Sequence, residues 1–171
     1  MKSYSRLFIL ALFILVTDQL TKLWIMVSLE NGTYHIDSLI NPPITVIEDF
    51  FYIVHIQNDG AAWGIFSGHA YLLGVLGVIA LAAIFYFRKA LALENHVLQC
   101  AFGLMTGGII GNMIDRFRFN RVIDFLDFHL PLYGRYPSFN IADCGITIGV
   151  GLYIIYSFIM DQKANPTSLS L

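Results

Sequence analysis

The chain has 171 residues, of which 57% are hydrophobic and only 13% charged, with a formal net charge of −2. A soluble domain carries about 25% charged residues, so the composition excludes an ordinary soluble fold and implies a polytopic helical membrane protein. The near-neutral charge has no basic cluster with interleaved aromatics, which excludes nucleic acid as a partner.

Four apolar runs approach the length that crosses a bilayer, about 20 residues. The first spans about 7–27, preceded by Lys2 and Arg6. A cleavable signal peptide opens similarly. Here no small-x-small site follows Val16; Thr-Asp18-Gln-Leu-Thr-Lys22 does, so the segment reads as an uncleaved span. Asp18 and Lys22 are four apart and read as an intrahelical ion pair.

The stretch from Ser28 to Ala70 begins with the turn signals Asn31-Gly32 and Asn41-Pro42-Pro43. Ile44–Ile47 and Phe50–Ile56 are β-branched and aromatic, and read as two short strands. Asn58-Asp-Gly60 marks a turn. Open backbone is too costly in lipid, so this patch belongs on the membrane surface as a small sheet. Arg121 to His129 is expected to add a strand, and Pro131 and Pro137 interrupt the chain beyond it. The segment from Asn58 to His69, with Gly60, Gly64 and Gly68 around Trp63 and Phe66, reads as a bending surface loop or flap.

The second span covers about 71–87, closed by Arg88 and Lys89, the third about 97–114 and the fourth about 141–160, before a polar tail. Gly103, Gly107 and Gly111 recur every four residues, and Gly145 and Gly149 repeat that spacing, so the third and fourth spans are expected to touch. The expected architecture is an all-α membrane protein. It is one integral-membrane domain (1–171) of four transmembrane helices with a small sheet and a surface loop. Basic residues are evenly divided between the two sides. Lys2 and Arg6 lead the first span, which places both termini inside.

The polar residues in this apolar chain carry the chemistry. Gly108, Asn112 and Arg116 form one helical stripe, and Asp115 lies beside it. A charge-paired structural network accounts for such a stripe as well as a site does. Asn140 and Asp143 share a face where the fourth span begins, and separately read as a helix cap and a dipole-favoured anion. Asp124 stands in Val-Ile-Asp124-Phe-Leu, surrounded by apolar residues. A carboxylate near hydrocarbon costs several kcal/mol, roughly 2.5–3.5 at a helix centre. Two of them, Asp124 and Asp143, each next to a membrane boundary, read most sharply as a pair sharing one proton and activating water, the core of an intramembrane aspartic protease. Asp127 and His129 fall on the opposite strand face from Asp124 and read as surface residues. Cys100 and Cys144 lie within spans and read as packing residues. His35, His55, His69 and His96 lack ligand spacing, so no metal is expected.

Five blocks, in order, carry a resemblance that runs from Asp18 to Asp143. They are Asp18-Gln-Leu-Thr-Lys22, Asn58-Asp-Gly60-Ala-Ala, Gly107-Gly-Ile-Ile-Gly-Asn-Met-Ile-Asp-Arg116, Val122-Ile-Asp-Phe125 and Phe139-Asn-Ile-Ala-Asp143. The chain resembles the lipoprotein signal peptidases, the bacterial type II signal peptidases. The resemblance implies that Asp124 and Asp143 form the catalytic dyad. It implies that Asn112, Arg116 and Asn140 line the site, that Asn58, Gly60 and Gly108 contact substrate, and that Asp18, Lys22 and Asp115 support it. It further implies an enzyme of the bacterial inner membrane acting near the periplasmic face as a monomer, without cofactor. Such enzymes cut prolipoproteins before a diacylglyceryl-modified cysteine, with membrane lipid as a further partner. Asp59 and Trp63 depart from the family's usual Thr and Phe, in the loop. The rival readings are a small transporter or proton channel, which predicts an inverted repeat or a midplane half-helix, and a non-catalytic tetraspan scaffold.

Overall fold

The computed structural model describes residues 4–32, 42–132 and 134–164, so His35 and Asn41 lie outside the described residues. The element order is α1 (Ser5–Ser28), β1 (Ile44–Ile47), β2 (Phe51–Asn58), α2 (Ala70–Tyr86), α3 (His96–Phe119), β3 (Val122–Leu130), β4 (Gly134–Arg135) and α4 (Ile141–Ala164). Helices α1, α3 and α4 have 24 residues each. At 1.5 Å per residue that is about 36 Å, enough to cross a hydrocarbon core of about 30 Å. Helix α2 is also apolar but has only 17 residues.

Helix α3 is central and packs against the other three. Between helices in lipid there is little hydrophobic driving force, so close backbone approach and polar contacts hold them together. The glycines show where that approach occurs. A Cβ on Gly103 or Gly107 would stand 2.7 or 2.5 Å from the carbonyl oxygens of Leu7 and Ala11 on α1. A Cβ on Gly145 or Gly149 would stand 3.0 or 2.5 Å from those of Leu104 and Ala101 on α3. Spans three and four do touch, as expected, but their glycine stripes do not face each other: the Gly103–Gly107 stripe receives α1. The outer faces stay apolar and exposed, with Phe8, Leu12 and Phe13 on α1 and Ile155 and Phe158 on α4.

Helix α3 runs past the expected end at Ile114 to Phe119, which brings Asp115 and Arg116 inside it. It is capped by Asn95, whose side chain accepts from the amides of Val97 and Leu98. It ends at Asn120, in the left-handed region at φ 56°. That reversal starts β3 at once, so Asp124 returns over the C-terminal turns of α3. Arg116 and Arg118 in the last turn suit the negative end of the helix.

The sheet is antiparallel in the order β1-β2-β3-β4. Asn58 ends β2 opposite Val122, and Ile56 pairs with Asp124. Ile25, Ile123 and Phe125 are buried where the sheet docks on α1, joined by Ile53, Leu126 and Ile141. Two expectations are corrected here. A further short strand, β4, follows Pro131. Asp127 is not a surface residue: it is 1% exposed, held by neighbours from the returning chain.

Candidate active site

Asp124 lies mid-strand on β3, and Asp143 in the first turn of α4. Asn140 joins them. Its Oδ1 accepts from the Asp143 amide at 2.9 Å, and Asp143 Oδ2 accepts from the Asn140 amide at 3.3 Å. This reciprocal pair is a capping box built with Asn and Asp. The Asn140 Nδ2 donates to Asp124 Oδ1 at 2.7 Å. The cap that starts α4 therefore also fixes one carboxyl against the other. The helix-cap reading and the site reading of these residues describe one arrangement.

The other oxygen of each carboxyl accepts from a side-chain amide. Asp124 Oδ2 accepts from Asn58 Nδ2 at 3.0 Å, and Asp143 Oδ1 from Asn112 Nδ2 at 2.7 Å. Asn112 Oδ1 in turn accepts from Lys22 Nζ at 3.0 Å. Lys22 is 1% exposed and lies 2.8 Å from both Asp18 Oδ2 and Asp115 Oδ2. The Asp18–Lys22 pair is thus more than an intrahelical bridge. Asp18 Oδ1 accepts from the Ala142 amide at 2.9 Å, and Asp115 Oδ2 from the Ile123 amide at 3.3 Å. One ammonium ties α1 and α3 to the start of α4 and to β3. Gln19, which motif reading passed over, donates to both Asp18 and Asp115. Its position inside the first block was the only available signal.

Burial raises the Asp124 carboxyl to about 7, and the nearby Asp143 charge adds to this. The hydrogen bonds from Asn58 and Asn140 and the charge of Lys22 oppose it.

Both carboxyls open on a cavity of about 440 Å³. Asn58, Gly60, Asn112 and Arg116 form its polar side, while Phe139, Ile146 and Ile148 contribute apolar wall. Cys144, expected to be only a packing residue, also lines it. Arg116 donates through NH2 to the Gly60 carbonyl at 3.2 Å, tying the loop after β2 to α3. Gly108 is not in the lining. The space beside it is filled by the Ala142 carbonyl and Ile146, so its missing side chain admits α4 and not a ligand. Asn140 is fully buried behind the carboxyls. Among the described residues no cluster of three His, Cys, Asp or Glu side chains could hold a metal ion.

A sequence profile for the family described as Signal peptidase (SPase) II matches residues 10–159. The chain belongs to the signal peptidase II family. It is 38% identical over 156 residues to a lipoprotein signal peptidase of Shouchella clausii, covering 91% of this chain and 95% of that protein. To the lipoprotein signal peptidase of Desulforapulum autotrophicum it is 35% identical over 161 residues, covering 91% and 93%. A bacterial membrane enzyme solved by the in meso method at 2.3 Å superposes with a TM-score of 0.78 and 34% identity, over 95% of this chain and 92% of that one. A second, solved at 1.9 Å, gives 0.72 and 37%, over 86% and 89%. In this member of the family the five blocks converge in space: each supplies at least one side chain to the network around Asp124 and Asp143.

Proposed function

We propose that this chain removes signal peptides from bacterial prolipoproteins by aspartyl chemistry at Asp124 and Asp143, cutting before a diacylglyceryl-modified cysteine. The observation that carries it is the Asn140 bridge, which holds a buried carboxyl, Asp124, and a half-buried one, Asp143, over one cavity. Asp143 is the better-held anion. It sits at the N-terminus of α4 and accepts from Asn112 and the Asn140 amide. Asp124, raised to about 7, keeps the shared proton. Asp143 takes a proton from water, and the hydroxide attacks the scissile carbonyl. Asp124 hydrogen-bonds the developing oxyanion and supplies the proton that leaves with the amine. The transporter or channel alternative gains no support from the family match.

Four spans with both termini in the cytoplasm put the sheet and the dyad near the periplasmic face of the inner membrane, in a single monomeric domain. The sheet and the loop after β2 cover the cavity, and the loop opens to admit the lipidated segment. The apolar wall from Ile146 and Ile148 faces the acyl chains. Two chains already dissolved in the bilayer fix the cysteine's depth more than they add affinity. The test compares diacylglyceryl-modified and unmodified lipobox peptides at equal concentration in the membrane. Preference for the modified peptide supports this reading, and equal cleavage contradicts it.

Cleavage should fall above neutrality. A raised carboxyl loses its proton above its pKa, so the one-proton state of the pair gives way to the doubly ionised state above about 7. The rate should drop about tenfold per pH unit on the alkaline side, measured as kcat/KM between pH 6 and 9.

Arg116→Lys should be damaging although charge is kept. The planar guanidinium reaches the Gly60 carbonyl while facing both aspartates, which a compact ammonium does not reproduce. Losing a charge-assisted bond of about 1.5–3 kcal/mol corresponds to roughly 10- to 100-fold in kcat/KM, readable in the same assay.

A further inference from the structure

Asp127 is a buried carboxylate that the mechanism does not use. It points to the side of β3 away from Asp124. Its Oδ1 accepts from Arg135 Nε and from Ser138 Oγ, both at 2.7 Å, and its Oδ2 lies 2.9 Å from His129 Nε2. Two of these partners belong to the chain returning beside β3.

That return is paired by backbone only at its ends. Gly134 and Arg135 pair with Leu130 and His129, and the Tyr136 amide donates to the Phe128 carbonyl. Phe139 exchanges hydrogen bonds with Leu126. Between them stands Pro137, which has no N–H to give to the ladder. The gap falls opposite Asp127, and its side chain supplies the missing links through Ser138 and Arg135.

The segment so held is a partition. Tyr136, Pro137 and Ser138 line the 440 Å³ cavity, and they also line a neighbouring one of about 480 Å³ that reaches Asp59, Trp63 and Arg135. Asp124 opens on both. Tyr136 meets Trp63 of the loop edge-on, with ring centroids 6.0 Å apart, and Phe139 stacks on Phe128.

We propose that Asp127 is a positioning residue for substrate: by clamping Arg135 and Ser138 across the Pro137 gap it fixes the wall on which the polypeptide lies as it passes Asp124. This rests on the peptidase reading above. The carboxylate acts on binding and not on the proton inventory, because it sits behind the wall.

The experiment measures kcat and KM for a diacylglyceryl-modified lipobox peptide with purified wild type, Asp127→Asn, Ser138→Ala and the double variant. Thermal unfolding in detergent is followed in parallel. Each single variant should raise KM about tenfold, the loss of one charge-assisted bond, with kcat and the alkaline pH limb little changed. The double variant should add little, since both changes release the same clamp. An unchanged KM in folded protein, or additive losses, overturns the proposal. Should Asp127→Asn fail to fold, Ser138→Ala alone decides by its KM. Absence of cleavage by the folded wild type instead refutes the peptidase reading.

Discussion

Asparagine in place of either Asp124 or Asp143 should abolish cleavage. General acid and base contributions are each worth about 10²–10⁴ in rate, and a carboxamide supplies neither. The pair works as a unit, so either loss should cost as much as both together. The change is nearly isosteric but not free. Asp124 accepts from Asn58 on one oxygen and from Asn140 on the other, so an amide at this position sets one NH2 against another. Asn58 cannot turn to relieve it without giving up the bond from the Gly60 amide to its Oδ1. An unmet pairing of this kind costs roughly 1–3 kcal/mol, which should lower the melting temperature without unfolding the protein. Kinetics must therefore be read beside a melting curve. A folded Asn variant with near wild-type rate removes that aspartate from the mechanism.

Lys22→Met should be the most destabilising single change in the site region. It removes the cation shared by Asp18, Asp115 and Asn112 in a fully buried setting. Breaking a buried ion pair by deleting one partner costs about 3–5 kcal/mol, because the remaining charge is left uncompensated. Here two carboxylates are left, and through the Ala142 and Ile123 amides they also hold α4 and β3. Adding Asp115→Asn to Lys22→Met should recover part of the loss by deleting one stranded charge. A Lys22→Met protein that melts like wild type would show that the lysine holds nothing.

Much of this was legible in the sequence because it is local. Apolar runs delimit the helices, β-branched stretches mark β1 and β2, and a spacing of four puts Asn112 and Arg116 on one face of α3. The i,i+4 spacing of Asp18 and Lys22 gave their bridge. What spacing could not give is the identity of the neighbouring helix. Gly108 looks like room for a ligand until α4 is seen in that room. Asp115, the second anion on Lys22, comes from a different helix. Asp127 read as exposed because strand alternation turns it from Asp124, and a solvated face is the usual reason for a carboxylate there. The partners that bury it, Arg135 and Ser138, arrive on a two-residue strand and a proline-broken return with no periodic pattern. Asn140 read as a cap or as a site residue; only the register of β3 against the start of α4 makes it both.

The central claim is tested most directly by incubating the purified, detergent-solubilised chain with a diacylglyceryl-modified lipobox peptide and weighing the products by mass spectrometry. The account predicts two fragments with the new N-terminus at the lipid-bearing cysteine, formed by wild type and by neither Asp124→Asn nor Asp143→Asn. No cleavage by the folded wild type, or the same fragments from both folded Asn variants, would contradict it.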